Sequence, residues 1–382
     1  MLRVIGLMSG TSLDGVDAAW LETDGERIGE LGPRLTLPYD DRLRSDLRRL
    51  LDHAPTLAAD DRRVRTAAAR LTEYHARAVA AVGRPADLIG FHGQTILHQP
   101  VASQPDRDQP PQSESHGSQR EPDRSQPSRG RTWQIGDAAW LAWRTGVRVA
   151  WDFRSADVAA GGEGAPLAPV FHAALARALP RPLAVLNVGG VANVTWIGAD
   201  GSLLACDTGP GNGPLDDWVA RHTGAAFDAD GALAREGAVD QAVLGRLLAD
   251  PYFARPAPKS LDRLDFARTI AASGVASLAP ADGAATLVAF TAAAVAATKL
   301  PAPPLRWLVG GGGRRNPVIM AALRDRLDAP VDPVEAVGWD GDALEAQCFG
   351  FLAARVASGL PLSFPGTTGV SRPLQGGHIA DP

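Results

Sequence analysis

Gly6-Leu7-Met8-Ser9-Gly10-Thr11-Ser12-Leu13-Asp14-Gly15-Val16-Asp17 is the stretch on which the fold of this chain turns. Arg3 to Leu7 before the loop and Val16 to Glu22 after it have strand character, so the pattern predicts a β-hairpin with an unusually polar tip. Gly10 and Gly15 let backbone N–H groups approach an anion with no Cβ in the way, and Ser9, Thr11 and Ser12 add hydroxyl donors, a combination that cradles phosphate. Two more such loops lie far along the chain, Asn187 to Asn193 around Gly189-Gly190, and Gly310-Gly311-Gly312-Gly313-Arg314-Arg315-Asn316. Each follows a predicted strand, Leu183–Val188 and Leu305–Val309. Any one of them alone reads first as a tight turn; three together point to a nucleotide. None matches G-x-x-x-x-G-K-[ST] and none contains Lys, which excludes a Walker-type NTPase, and G-x-G-x-x-G is absent from the first βα unit.

The rest of the chain is that of an ordinary folded protein. Its 382 residues exceed the usual single core and predict two domains. Hydrophobic residues at 45% and charged residues at 21% exclude a disordered or fibrous chain, and a net charge of −5 gives no footprint for a nucleic acid. Lys occurs only at 259 and 299, so the positive charge is nearly all Arg. Cys206 and Cys348 lack zinc-site spacing and read as packed thiols in a reducing cytosol. The longest uncharged apolar run, Ala284 to Thr298, is shorter than the roughly 20 residues of a membrane span and predicts a buried helix, and the N-terminus carries no secretory signal pattern. Ser103 to Arg131 contains no hydrophobic residue, cannot bury a core, and is expected to be a disordered insertion within one domain.

The chemistry-bearing residues lie mostly at predicted strand ends. Asp207-Thr208-Gly209-Pro210-Gly211-Asn212 follows the predicted strand Ser202–Cys206, and Asp207, ionised at neutral pH, serves equally as a base, as a partner for Mg²⁺, or as a turn Asp bonding its own backbone. Asp14 at the hairpin tip can approach a metal phosphate; Asp17 on the second strand reads either so or as a solvated residue. His92-Gly93-Gln94-Thr95 is expected in a turn after a short strand, Leu88–Phe91, with His92 donating to a polar ligand or holding the structure. Asp152-Phe153-Arg154, Asp157 and Gly161 to Leu167 precede an amphipathic helix predicted from Leu167 to Leu179. This is an anion-favouring helix entrance or an elaborate helix start. Glu345 opens a helix over Leu344–Ala357, where a first-turn carboxylate suits the dipole. No His, Cys or carboxylate spacing argues for a protein metal site.

Taken together, the 6–17 stretch, His92 to Thr95, Gln134-Ile135-Gly136-Asp137, Asp152-Phe153-Arg154, Gly164-Ala165-Pro166-Leu167 and Asp207 to Asn212 closely resemble the anhydro-N-acetylmuramic acid kinase family. The likeness covers nearly the whole chain outside 103–131. It implies a two-domain α/β fold of the acetate and sugar kinase, Hsp70 and actin superfamily, with an interdomain active-site cleft. The first domain is expected at 1–131 plus 345–382 and the second at 132–344. By the resemblance, Gly10, Thr11, Ser12, Leu13, Asp14, Gly15, Val16 and Asp17 form the ATP-phosphate hairpin, and Gly310, Gly311, Gly312 and Asn316 the late nucleotide loop. His92, Gln94, Thr95, Asp152, Arg154, Gly164 and Pro166 are implied for the sugar, Asp207 as the base and Glu345 as a second carboxylate.

ATP and Mg²⁺ are the implied cofactors, 1,6-anhydro-N-acetylmuramic acid the implied substrate, and its hydrolytic ring opening with phosphorylation at O6 the implied reaction. The resemblance also admits a homodimer, and gives no nucleic-acid or membrane partner. Two competing classes share the phosphate loops: a kinase acting on a carboxylate or free hydroxyl, and a nucleotide-binding scaffold without chemistry. One departure stands out. Lys-Ser-Thr-Gly-Arg of the family is here Lys259-Ser260-Leu261-Asp262-Arg263, expected to be a surface loop clear of the core motifs.

Overall fold

A computed structural model of the chain describes residues 1–10, 12–100, 130–261 and 266–382. Thr11, the insertion as far as residue 129, and Asp262-Arg263 lie outside the described residues. Chain order runs β1 (Leu2–Ser9), β2 (Gly15–Thr23), β3 (Ile28–Pro38), β4 (Leu88–Gln99), β5 (Arg131–Ile135) and β6 (Arg148–Trp151), then β7 (Leu183–Val188), β8 (Val191–Ile197), β9 (Leu203–Pro210), β10 (Trp307–Gly310) and β11 (Val331–Pro333), and ends with β12 (His378–Ala380). One sheet has the order β12-β6-β4-β1-β2-β3, with β5 paired to the far half of β4; the other has the order β11-β10-β7-β8-β9.

The two sheets repeat one plan. In each, three strands meander antiparallel, β1-β2-β3 and β7-β8-β9. Two further strands then extend the sheet in parallel from the first of the three, β4 beside β1 and β6 beside β4, and β10 beside β7 and β11 beside β10. This duplicated order is that of the actin-like ATPase fold that the family resemblance implies.

Local sequence explains the elements that need no distant partner. Asp137 accepts from Trp140 N–H and Gly146 closes the helix Ala138–Thr145 in the left-handed region, so both ends are specified by single residues. The apolar run of β7 is buried between layers. The helix Pro280–Ala296, apolar on every face, is buried from Gly283 to Val295. Val4, Leu21 and Leu88 of the first sheet share an apolar cluster with Leu183, Val185 and Leu308 of the second, joined by Phe349, Phe351 and Leu352 of the helix Leu344–Ala357. Each such side chain contributes about 1.5–3 kcal/mol on burial.

Three expectations are corrected here. β4 does not stop at Phe91: His92 to Thr95 lie inside it, because β5 pairs with residues Gln94 to Gln99. β9 continues through Asp207 to Pro210, a register shift between Ala192 and Asn193 of β8 absorbing the irregularity, so Asp207 lies inside a strand. A first unit ending at 131 omits β5 and β6, both members of the first sheet.

The helix Leu344–Ala357 lies backbone to backbone on the first sheet. A Cβ on Gly6 would fall 1.8 Å from Ala346 O, and one on Gly90 2.1 Å from Phe349 O. Glu345 occupies the first turn of this helix, so close glycine contacts set the height of a carboxylate. Gly6→Ala is expected to destabilise the fold by about 1–3 kcal/mol or more, read as a lowered thermal midpoint; an unchanged midpoint would contradict this packing.

Candidate active site

In open α/β sheets, ligands bind beyond the carboxyl ends of the parallel strands. Here those ends are Ser9 of β1, Trp151 of β6, Val188 of β7 and Gly310 of β10, and each leads into a loop marked from sequence. Two interactions cross between the sheets, one from Asn187 to Glu345 and one between Arg154 and Asp207. Asn187 Nδ2, from the second sheet, donates to Glu345 Oε1 at 3.3 Å. Glu345 also feels the charges of Asp17, Arg154 and Asp14. The Arg154 guanidinium in turn feels Glu345, Asp207 and Asp157. The carboxylates of both halves thus face one cleft.

On the first side, Leu13 is buried at φ 59° and its N–H donates to Gly10 O at 3.2 Å, while Ser12 Oγ donates to Asp14 Oδ1 at 2.8 Å. The apolar side chain anchors the tip and leaves its polar groups outside. Asp17 is partly buried, not solvated, and accepts from Thr36 Oγ1; desolvation, with Asp14 and Asp342 nearby, raises its pKa above the usual carboxylate value. Ser9, at the end of β1, donates to Gln94 Oε1 and contacts the Tyr39 hydroxyl at 2.6 Å. Gln94 is therefore tied to the hairpin, and Thr95 Oγ1 accepts from Gln134 Nε2 at 3.1 Å.

On the second side, the glycine loops interlock. Gly211 and Asn212 N–H donate to Gly190 O and Gly189 O at 3.0 and 2.6 Å, and a Cβ on Gly211 would sit 2.1 Å from Gly189 O. Gly311, at φ 73°, has Asn187 Oδ1 and Val188 O within 2.6 Å of where a Cβ would stand. Asn316 caps the helix Pro317–Arg324, its Oδ1 accepting from Val318 and Ile319 N–H, and its amide reaches Asp228 O. Its side chain is spent on capping and holds the loop from behind.

Asp207 is gripped from three directions. Its N–H donates to Lys259 O at 2.9 Å, its carbonyl accepts from the Tyr252 hydroxyl at 2.6 Å, and its Oδ2 accepts from Leu261 N–H at 2.7 Å. The 259–261 segment is thus not a surface loop clear of the core motifs. Lys259 and Ser260 are buried, Lys259 Nζ donating to Tyr252 O and standing 4.2 Å from that ring's centre. Asp207 itself is 7% exposed.

Arg154, half-buried, donates through Nε to His92 Nε2 at 3.1 Å and through Nη1 to Gly164 O at 2.8 Å. His92 Nδ1 donates to Gly93 O, which leaves Nε2 as the acceptor; burial, then the Arg154 charge, push the imidazole pKa well below its ordinary value, so His92 is neutral. Glu345 keeps solvent-exposed surface, yet the protein packed around its carboxyl group and then the Asp17 charge raise its pKa above the usual carboxylate value. Pro166 follows a cis peptide beside Gly164.

Asp152 stands apart from this group: its Oδ1 accepts from Ser155 N–H and its Oδ2 faces His378 of β12 at 4.0 Å. Tyr39 and Tyr252 join the site with no motif to announce them, while Asn187 comes from the second glycine loop marked in sequence. Among the described residues, no group of three or more His, Cys, Asp or Glu could hold a metal ion.

Duplicated sheets with glycine loops and carboxylates at facing strand ends define a two-domain kinase-type ATPase of the sugar kinase, Hsp70 and actin class. The family model for anhydro-N-acetylmuramic acid kinase matches residues 2–109 and 114–381, and the chain belongs to that family. Its relatives include the anhydro-N-acetylmuramic acid kinases of Acidiphilium cryptum, 63% identical over 100% of this chain and 99% of that protein, and of Gluconobacter oxydans, 54% identical over 99% of each. Among solved structures, the Acidaminococcus fermentans (R)-2-hydroxyglutaryl-CoA dehydratase component A is 9% identical, with a TM-score of 0.44 over 94% of this chain and 100% of that chain.

Proposed function

We propose that this protein uses ATP to convert 1,6-anhydro-N-acetylmuramic acid into N-acetylmuramic acid 6-phosphate and ADP, in recycling of cell-wall sugar. O6 of this sugar is tied into an acetal and has no proton to give up. Opening therefore requires water at C1: the new C1–O bond forms as C1–O6 breaks, and O6 takes the γ-phosphoryl as the bond to ADP breaks. The water proton goes to a base. Asp207 fits that role because three contacts hold it rigidly and Arg154 lies within electrostatic reach. That arrangement is the observation that carries the reading.

The hairpin tip and the Gly310 to Gly313 loop are assigned to the phosphates, with Asn316 supporting the loop, and His92, Gln94, Thr95, Arg154, Gly164 and Pro166 to the sugar. Asp152 is assigned to the rim. Asp14, Asp17 and Glu345 are hard oxygen donors of the kind Mg²⁺ shares with nucleotide phosphates. When bound, Mg²⁺ would screen the phosphate charge. In-line positioning supplies most of the rate. The reading includes a cytoplasmic enzyme and a homodimer. No helix among the described residues is long and apolar enough to cross a membrane.

A substrate panel with ATP tests it. ADP release is expected with the anhydro sugar and not with acetate or plain N-acetylmuramic acid; the reverse pattern would overturn the assignment.

A further inference from the structure

Residues 259–261 form a three-residue strap around Asp207. Lys259 O accepts the Asp207 N–H, Leu261 N–H donates to the Asp207 carboxylate, and between them the Ser260 hydroxyl donates to Glu163 Oε2. Ser260 is 1% exposed and Glu163 is 7% exposed. Glu163 is itself fixed: its N–H donates to Thr368 O at 2.7 Å, and the next residue, Gly164, donates to Asp157 Oδ1 at 2.6 Å. Asp157 Oδ2 accepts from Thr368 Oγ1, and Gly164 O accepts from Arg154. The loop that orients Arg154 therefore also anchors the strap that aims Asp207. A hydroxyl bond to a buried carboxylate is charge-assisted, and losing it leaves the carboxylate desolvated and the strap untethered.

We infer that Glu163 and Ser260 are positioning residues that fix the Asp207 carboxylate toward the sugar through the 259–261 strap, an inference that rests on Asp207 being the base. Glu163 is needed as an acceptor for Ser260, not as a charge on the substrate. A shift of the strap by a fraction of an ångström misdirects the proton acceptor without touching the nucleotide loops.

The test compares Glu163→Ala, Ser260→Ala, the double variant and Glu163→Gln, with thermal melting and ATP titration as controls and Asp207→Asn in parallel. Expected is a fall in kcat of roughly ten- to a hundredfold in both alanine variants, with KM for ATP within about twofold of the parent. The double variant should lose no more than the worse single one, since both remove one interaction. Glu163→Gln, which keeps the acceptor, should restore kcat to within about threefold. Alanine variants with kcat within about twofold of the parent, additive losses, or Glu163→Gln as impaired as Glu163→Ala would each overturn the inference. If Glu163→Ala does not fold, Ser260→Ala and Glu163→Gln decide. Normal turnover in Asp207→Asn would instead remove the assignment of the base, a separate failure.

Discussion

Asp207→Asn is expected to lower kcat by roughly 10²–10⁴-fold while ATP binds with near-parent affinity. The substitution keeps the size of the side chain and an oxygen able to accept from Leu261 N–H, and leaves untouched the backbone bonds to Lys259 and Tyr252. What it removes is the ability to take a proton. The nucleotide loops, held by Gly189, Gly190 and Asn316, do not depend on that carboxylate. Single-turnover kinetics with ATP titration separates the two quantities. Turnover at parent rate would clear Asp207 of the role, and lost ATP binding would make its function structural.

Gly311→Ala is expected to act on the opposite side of the reaction, lowering kcat/KM for ATP by roughly a hundredfold. The residue sits at φ 73°, where a Cβ is strained, and that Cβ would lie 2.4 Å from Asn187 Oδ1 and 2.6 Å from Val188 O. The neighbours cannot yield cheaply. Val188 is backbone in β7, and Asn187 donates to Glu345, so moving it disturbs a cleft carboxylate as well as the loop. Equilibrium ATP binding and steady-state kinetics of the variant check this, and an unchanged KM for ATP would place the nucleotide elsewhere.

The parts legible in sequence were those specified locally. Asp137 and Gly146 bracket one helix, the Leu344–Ala357 helix falls where its apolar spacing predicts, and the β1-β2 hairpin follows from its polar tip. Reading failed where pairing was distant. β4 runs on to Gln99 only because β5, beyond the insertion, covers its second half, and β6 joins the first sheet by pairing with Leu88 to Phe91. Asp207-Thr208-Gly209-Pro210 has turn composition, yet β8 holds it as strand through an irregular register. The same holds within the site. Lys259 and Ser260 are polar enough to read as surface, and only tertiary packing shows Lys259 on the Tyr252 ring and Ser260 on Glu163. Asn316, marked for nucleotide, caps a helix, because a residue beside a glycine loop and before Pro317 serves both patterns equally in sequence.

The central claim is that solvent, activated by Asp207, attacks the anomeric carbon as O6 is phosphorylated. Mass analysis of the sugar phosphate from the first turnovers in ¹⁸O-labelled water tests it most directly, with unlabelled product incubated alongside to correct for spontaneous exchange at C1. One heavy oxygen is predicted on the sugar at C1 and none on the phosphoryl group; label on the phosphate, or a sugar without label, would contradict the claim.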